Sequence, residues 1–590
     1  MPQSEKAVAV TATEMPPTFH KGSVDTIAAE KMGVEHDRQD MLRMGKKQEM
    51  RASGPSSYLQ SPANTIQRSF QFFSIWGYAV ILGNTWEFAL VTGVLSLTQG
   101  GPAGAIWMFL ATCFGMFFVM LSMAEMASIA PTAGGQYHWV SEFAPRQYQK
   151  LLSYVVGWLC VLGWQTCMVT VGLVAASQFT ALISLSDPNY TIQGWHTALL
   201  IIAVTCFAIL FNTFLVRKLP LLEGIVIILH IFGFFAVFVV LWIMGPRAPP
   251  SQVFTQFEDN AGWGSIGLAC LVGISSPVIT LVGADSSCHL SEELTNASWV
   301  LPRAMIATAM TNYALGFLMT ITLMLNLGDV ASALASPTGQ PYIHVLQQAT
   351  RSHAATCVLT STVALLLLSC AINQVTTSSR QLFAFARDNG LPFSPFLATI
   401  HPGLDIPLNA ILATLAFTAL LSVLVVASSA ALANITTLSL TGLVSSYAIA
   451  IACFFLKRLR REPLPASRFR LPGPLGFAAN VIALAWLGLT FVMMFFPAVP
   501  APDARGMNWS VLIFGAVVGF SLVYYRVAAR GSCYSGGHLC LLACLILLMS
   551  RERRLLYTFA LELSSESASL GTQQIRFHAP VPMLYVRTPR

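Results

Sequence analysis

Charge is the scarcest ingredient of this sequence. Of 590 residues only 10% are Asp, Glu, Lys or Arg, against about 25% in soluble globular proteins. Between Lys150 and Arg217 the only formal charge is Asp187. So thinly charged a chain does not read as a soluble globular domain. A close CxxC pair is also missing. The cysteines mostly lie inside apolar stretches, as at Cys113, Cys160, Cys167, Cys206 and Cys270. They read as small buried hydrophobes, and neither metal nor disulfide is indicated. No HExxH, no GxSxG and no phosphate-cradling glycine loop appears, which argues against a membrane-embedded enzyme and against a cofactor. No apolar stretch lies near Met1, so no cleavable signal is expected.

What is present is hydrophobicity, 55% of residues, gathered into long runs. A run of about 18 or more apolar residues reads as a transmembrane helix. Twelve such spans are predicted, at 70–97, 103–128, 153–183, 195–216, 221–244, 263–288, 304–326, 353–379, 407–427, 431–456, 476–498 and 509–525. The fold class is an all-α polytopic membrane protein. The net charge of +7 speaks to topology, not to nucleic acid. The loops after odd-numbered spans hold only Arg247, Arg351 and Arg505, while the N-terminal tail and the other loops hold 22 Lys and Arg. Positive residues stay on the cytoplasmic side, so both termini are expected there.

Two spans carry an anomaly. GNTWEFAL, from Gly83, puts a glycine, an asparagine and a carboxylate at the middle of the first. SSPVITLVGADSSCHLSEE, from Ser275, does the same in the sixth with Pro277, Gly283 and Asp285. Backbone is broken at membrane depth only where the freed groups are buried in protein or line a cavity. Paired interruptions at corresponding places of two halves point to a transporter substrate site. With five spans per half, spans 1–5 and 6–10 would be repeats of opposite orientation. Backbone groups of Gly83, Asn84 and Thr85, and of Leu281, Val282 and Gly283, would meet a substrate carboxylate; freed carbonyls would meet an ammonium. Trp86 and Ile279 would wall the site. Trp164 and Gln165 in span 3 either line it or pack the core.

Several ionisable residues sit at membrane depth, where a charge is costly and usually functional. Glu87 admits three readings: counter-ion to a cationic head group with Trp86 adding a cation–π face, proton carrier, or hydrogen-bonded structural acid. Glu223 and His230 are seven apart and share a helical face, as a proton relay or as structural residues. Glu125 reads as a packing or gate residue. Asp285 is expected to cap the helix after the break. Glu292 and Glu293 leave span 6 on the same face as Arg380 and Arg387 beyond span 8. Exposed Glu–Arg pairs there, each worth about 0–1 kcal/mol, would hold a gate shut. The hydroxyls of Thr376, Thr377, Ser378 and Ser379 are a minor candidate for sodium.

Three loops carry a resemblance. AEMASIAPTAGGQYHWVSEFAP from Ala124, HLSEELTNASWVLPRAM from His289 and SSRQLFAFARDNGLPFSPFLATIHP from Ser378 are similar to the loops after helices 2, 6 and 8 of amino-acid/polyamine/organocation permeases. The match resembles most the fungal amino acid and choline branch, which includes 4-aminobutyrate permeases. The resemblance implies a leucine-transporter-type fold, a five-plus-five inverted repeat plus two helices. It implies an amine or amino acid bound between the breaks, uptake commonly coupled to protons, and residence in the plasma membrane or the vacuolar membrane. A non-transporting nutrient sensor would share these features.

The implied organisation is a cytoplasmic tail at 1–69, repeats at 70–244 and 263–456, two helices in 476–525, and a tail at 526–590. Two segments depart from the family pattern: an insert at 52–67 and the chain after about 529. Membrane lipids are the remaining expected partner; nothing in the residues speaks to oligomeric state.

Overall fold

The computed structural model describes residues 37, 39–44 and 71–529, apart from 188, 216, 217, 405, 428 and 505. The insert 52–67 and the chain beyond 529 lie outside the described residues. The described chain is helical, and its pairing of extended backbone is a single bridge between His401 and Ile406.

The principal helices are α1 (Gln71–Gly83), α2 (Thr85–Ile129), α3 (Gln136–Phe143), α4 (Gln149–Ser186), α5 (Gly194–Phe214) and α6 (Leu219–Met244). There follow α7 (Ile266–Val272), α8 (Ser275–Leu281), a 3-10 segment (Ala284–Glu293), α9 (Ala297–Leu325), α10 (Pro341–Thr350) and α11 (His353–Arg387). The chain closes with α12 (Leu408–Ala427), α13 (Ser429–Leu459), α14 (Gly473–Met493) and α15 (Ser510–Tyr524).

Among the described residues ten helical stretches are long and apolar enough to cross a membrane. The first, Phe72–Ile129, is 58 residues long and takes in the first two expected spans. At about 1.5 Å per residue it is far longer than one crossing requires. It turns at Gly101-Pro102, where Gly101 has φ 67 and ψ −170. Only glycine fits there, because a Cβ on Gly101 would lie 3.0 Å from the Cβ of Glu258. A shorter apolar helix, Leu408–Leu424, falls on the ninth expected span.

The bundle is inside out relative to a soluble protein. Large apolar side chains such as Phe214, Phe232 and Ile243 are exposed, while Asn84, Glu87, Glu125, Asp285 and Gln374 are fully buried. The exposed side chains belong in lipid. Helix α4 is central, with 83% of its most apolar window buried, and α15 is peripheral, with 6%. Small residues allow a close crossing of α13 and α4, as is usual between membrane helices. Where α13 meets α4, a Cβ on Gly442 would stand 2.8 Å from the backbone nitrogen of Gly163.

Candidate functional site

The first break is a single residue. Asn84 adopts φ 39 and ψ 46, left-handed backbone, between α1 and α2. Helical bonding reaches it on both sides, from Asn84 N to Val80 O and from Phe88 N to Asn84 O, each 2.9 Å. Gly83, the glycine of this interruption, stays helical as the last residue of α1. It is small for another reason: a Cβ there would fall 2.3 Å from Asn312 Nδ2. Asparagine visits left-handed backbone more readily than other non-glycine residues, and Asn84 Nδ2 donates to Leu366 O of α11 at 2.8 Å. Thr85, Trp86 and Glu87 then form the first turn of α2, where amides lack intrahelical acceptors.

The second break is wider. α8 ends at Leu281, Val282 is extended (φ −79, ψ 154), and Gly283 has φ 108. The two breaks touch, since a Cβ on Gly283 would lie 3.2 Å from Leu82 Cδ2. Neighbouring helices take up carbonyls of both breaks. Asn312 Nδ2 donates to Val80 O at 3.1 Å, Cys370 Sγ to Leu82 O at 3.1 Å, and Tyr313 OH to Leu281 O at 3.2 Å.

Trp164 and Gln165 of α4 meet α11. Gln165 Nε2 donates to Ser378 O at 3.2 Å, and Ser378 Oγ to Trp164 O at 2.8 Å. Trp164 also stands edge-on to His289, with centroids 5.3 Å apart. Gln374, not singled out from sequence, donates from Nε2 to Trp164 O at 3.3 Å. The oxygens Asn84 Oδ1, Gln165 Oε1, Asn373 Oδ1 and Gln374 Oε1 are buried without a protein donor. The region between α1, α4 and α11 is therefore rich in spare acceptors, which suits an ammonium. Thr377 Oγ1, a candidate for sodium, meets Tyr78 OH at 2.6 Å. Ile279 and Val282 are buried on the α8 side.

Glu87 and His230 form a pair. Glu87 Oε1 lies 2.8 Å from His230 Nδ1, and both side chains are completely buried. Glu87 Oε2 and His230 Nε2 have no protein partner. Trp86 packs on His230 and Phe234, with ring centroids 5.9 and 6.1 Å away. Glu223 and His230 share a face of α6 and stand about 10 Å apart along it, and His230 bonds across to α2. Glu223 is buried against the Asn373 side chain.

Asp285 does not cap. Its carboxylate accepts from Gln136 Nε2 and from Tyr447 OH, both at 2.6 Å, and the start of the 3-10 segment has no side-chain cap. The carboxylate thereby joins the 3-10 segment to α3 and α13. Glu125 accepts two bonds from Arg458 Nη2, at 2.7 Å each.

The expected gate charges do meet, in a definite pairing. Arg387 grips Glu292 with two parallel bonds, Nη1 to Oε2 and Nη2 to Oε1, both 2.8 Å. Arg380 Nε donates to Glu293 Oε1 at 2.5 Å. Exposed pairs were expected, but the Glu292 side chain is 0% exposed and that of Arg387 12%. Burial follows from the loop after α2, whose Ala133 N donates to Glu292 Oε1 at 3.4 Å and covers the pair.

Comparison with known proteins supplies the family. Residues 70–518 match the amino acid permease family. A candidate amino acid/polyamine transporter of Macrophomina phaseolina is 31% identical over 74% of this chain and 96% of its own length. The choline transporter of Saccharomyces cerevisiae is 26% identical over 79% and 82%. Amino-acid permease 2 of Neurospora crassa is 26% identical over 79% and 85%. A match over most of the chain, on an all-helical bundle with an apolar exterior, makes this chain a multi-pass membrane protein that belongs to the amino acid permease family.

Proposed function

We propose that the chain is a secondary active transporter of amino acids or related amines, 4-aminobutyrate and choline among them, working by alternating access and driven by protons. The observation that carries this reading is the contact between two broken helices, at Asn84 and at Val282-Gly283, beside a surplus of buried acceptor oxygens. The first-turn amides of α2 offer the positive end of a helix to a carboxylate, and the spare oxygens of Asn84, Gln165 and Gln374 offer themselves to the amine.

In this reading there are twelve crossings, two of them within Phe72–Ile129 and one by Leu408–Leu424. Spans within 70–244 and 263–456 are inverted repeats, and both termini are cytoplasmic. The Glu292–Arg387 face is then the cytoplasmic gate. Plasma membrane residence follows from nutrient uptake. Glu87 is assigned to the proton, since His230 already occupies one of its oxygens and a substrate cation is left with less of its charge.

The test is uptake in a permease-deficient yeast expressing this chain, with labelled 4-aminobutyrate, choline and a panel of α-amino acids. One substrate should accumulate, and a protonophore should abolish the accumulation. Glu87→Gln should leave exchange of bound substrate intact while removing concentrative uptake. Accumulation that ignores the protonophore would sink proton coupling. Loss of substrate binding in Glu87→Gln would return Glu87 to the substrate.

A further inference from the structure

At the end of the bundle that holds the gate, the chain between α13 and α14 folds over a cavity of about 630 Å³. Its wall carries Arg458, Arg461 and Arg470, with apolar patches from Leu464 and Leu471. The three cations are not equivalent. Arg458 is committed to Glu125. Arg461 and Arg470 are exposed, and their side chains make no hydrogen bond or ion pair among the described residues. One acid, Glu462, also lines the cavity, but it lies 4.0 Å from Arg460, which partly offsets it.

Arg461 is also held in left-handed backbone, with φ 54. A non-glycine residue is strained there, where glycine would not be. Below the cavity the outward surfaces of both helices are apolar. Leu456 and Leu459 on α13 are exposed, as are Leu475, Phe477 and Val481 on α14. Phe455 and Phe477 bridge the two helices, with ring centroids 5.2 Å apart.

We propose that this cavity binds the headgroup of an anionic phospholipid, with Arg461 and Arg470 on the phosphate and the acyl chains lying along the exposed side chains of α13 and α14. Guanidinium forks fit phosphate oxygens bidentately. Basic pockets between membrane helices on the cytoplasmic side are suited to anionic headgroups, because that leaflet carries the anionic lipid. The apolar track beneath the cavity favours a lipid over a soluble phosphate, which would have no use for it. The proposal rests on the membrane placement of α13 and α14, and it does not depend on what is transported.

The test uses the purified full chain in detergent, titrated with dioctanoyl phosphatidylserine, dioctanoyl phosphatidylcholine and inorganic phosphate. Binding is read by native mass spectrometry and by the shift in melting temperature. The serine lipid should bind and raise the melting temperature, and the choline lipid should do neither. Arg461→Gln combined with Arg470→Gln should weaken the serine lipid at least tenfold. Both side chains are exposed, Arg470 acts on the Glu125 carboxylate by charge alone, and the melting temperature without lipid checks that the variant is folded. Arg146→Gln, which neutralises an exposed arginine away from the cavity wall, should leave binding within twofold. Equal binding of the two lipids, or an equal loss in Arg146→Gln, would overturn the proposal in favour of general surface attraction. The full effect with inorganic phosphate alone would overturn the lipid assignment in favour of a soluble anion.

Discussion

Replacing Arg387 by glutamine should release the proposed gate, and the structure indicates by how much. Glu292 is wholly buried and loses two charge-assisted bonds of 2.8 Å. Removing one partner of a buried pair costs about 3–5 kcal/mol. The cost falls only on the closed arrangement, since an open gate lets water reach the acid. At about 1.4 kcal/mol per decade, 3 kcal/mol raises the open population on the order of 100-fold. Arg380→Gln is the internal comparison. It strands Glu293, whose side chain is already 32% exposed and can rehydrate, so about 1 kcal/mol or less is expected. The double variant Glu292→Gln with Arg387→Gln should be milder than Arg387→Gln alone, because no charge is then left buried. Cys288 is a built-in reporter: it lies on the same 3-10 segment and is 0% exposed. Its alkylation by a membrane-impermeant maleimide in inside-out vesicles, resolved by mass spectrometry, follows the opening equilibrium. The rate should rise steeply in Arg387→Gln, modestly in Arg380→Gln, and fall back in the double variant. If Arg387→Gln and Arg380→Gln accelerate alkylation alike, or the double variant is the fastest of all, the buried-pair reasoning is refuted.

Three further outcomes are expected. Asn84→Ala should lower the melting temperature more than Asn84→Gly, because alanine in left-handed backbone costs about 1–2 kcal/mol while both lose the bond to Leu366; the reverse order would show that Asn84 is not a conformational hinge. Gly442→Ala should cost about 1–3 kcal/mol by overpacking, since the clash is with the backbone of Gly163 and no rotamer relieves it; an unchanged melting temperature in detergent would mean that α4 and α13 are free to separate. The third concerns Asp37, whose carboxylate accepts from the backbone N–H groups of Asn296 and Ala297 at the start of α9. Burial pushes its pKa from 3.8 to about 6, against those amides, which pull it down. The docked segment therefore binds the proton more tightly than the free one. Docking is strongest below about pH 3.8 and weakens by roughly 3 kcal/mol as pH rises through about 6. Hydrogen exchange of residues 39–44 should be slower at pH 4 than at pH 7 after correction for intrinsic rates, and Asp37→Asn should abolish the difference; pH-independent protection would contradict it.

How far the sequence speaks depends on whether a feature is local. The apolar runs are local, so the membrane helices and the turn at Gly101-Pro102 are legible from hydropathy and two residues. The breaks are legible too, because polar residues at membrane depth are conspicuous against an apolar background. Which residue breaks the helix is not legible, since that depends on a partner far along the chain. Gly83 looks like the hinge until Asn312 fills the space beside it, and Asn84 takes the left-handed turn because Leu366 receives its amide. The same physics redirects the acids. A seven-residue interval puts Glu223 and His230 on one face, but a hydrogen bond needs about 3 Å, and only the approach of α2 to α6 brings Glu87 within it. Asp285 looks like a cap because it follows a break by two residues, yet Gln136 and Tyr447 compete for its oxygens from elements 149 and 162 positions away. The pairing of Glu292 and Glu293 with Arg387 and Arg380 was visible as opposite signs on one face. Its burial was not, because the cover is the loop around Ala133. Polar residues in the middle of membrane helices, such as Asn312, Asn373 and Gln374, were the available signal that went unused. A buried side-chain amide must find a partner or stay unsatisfied, so each marks either a broken helix nearby or a group held ready for a ligand.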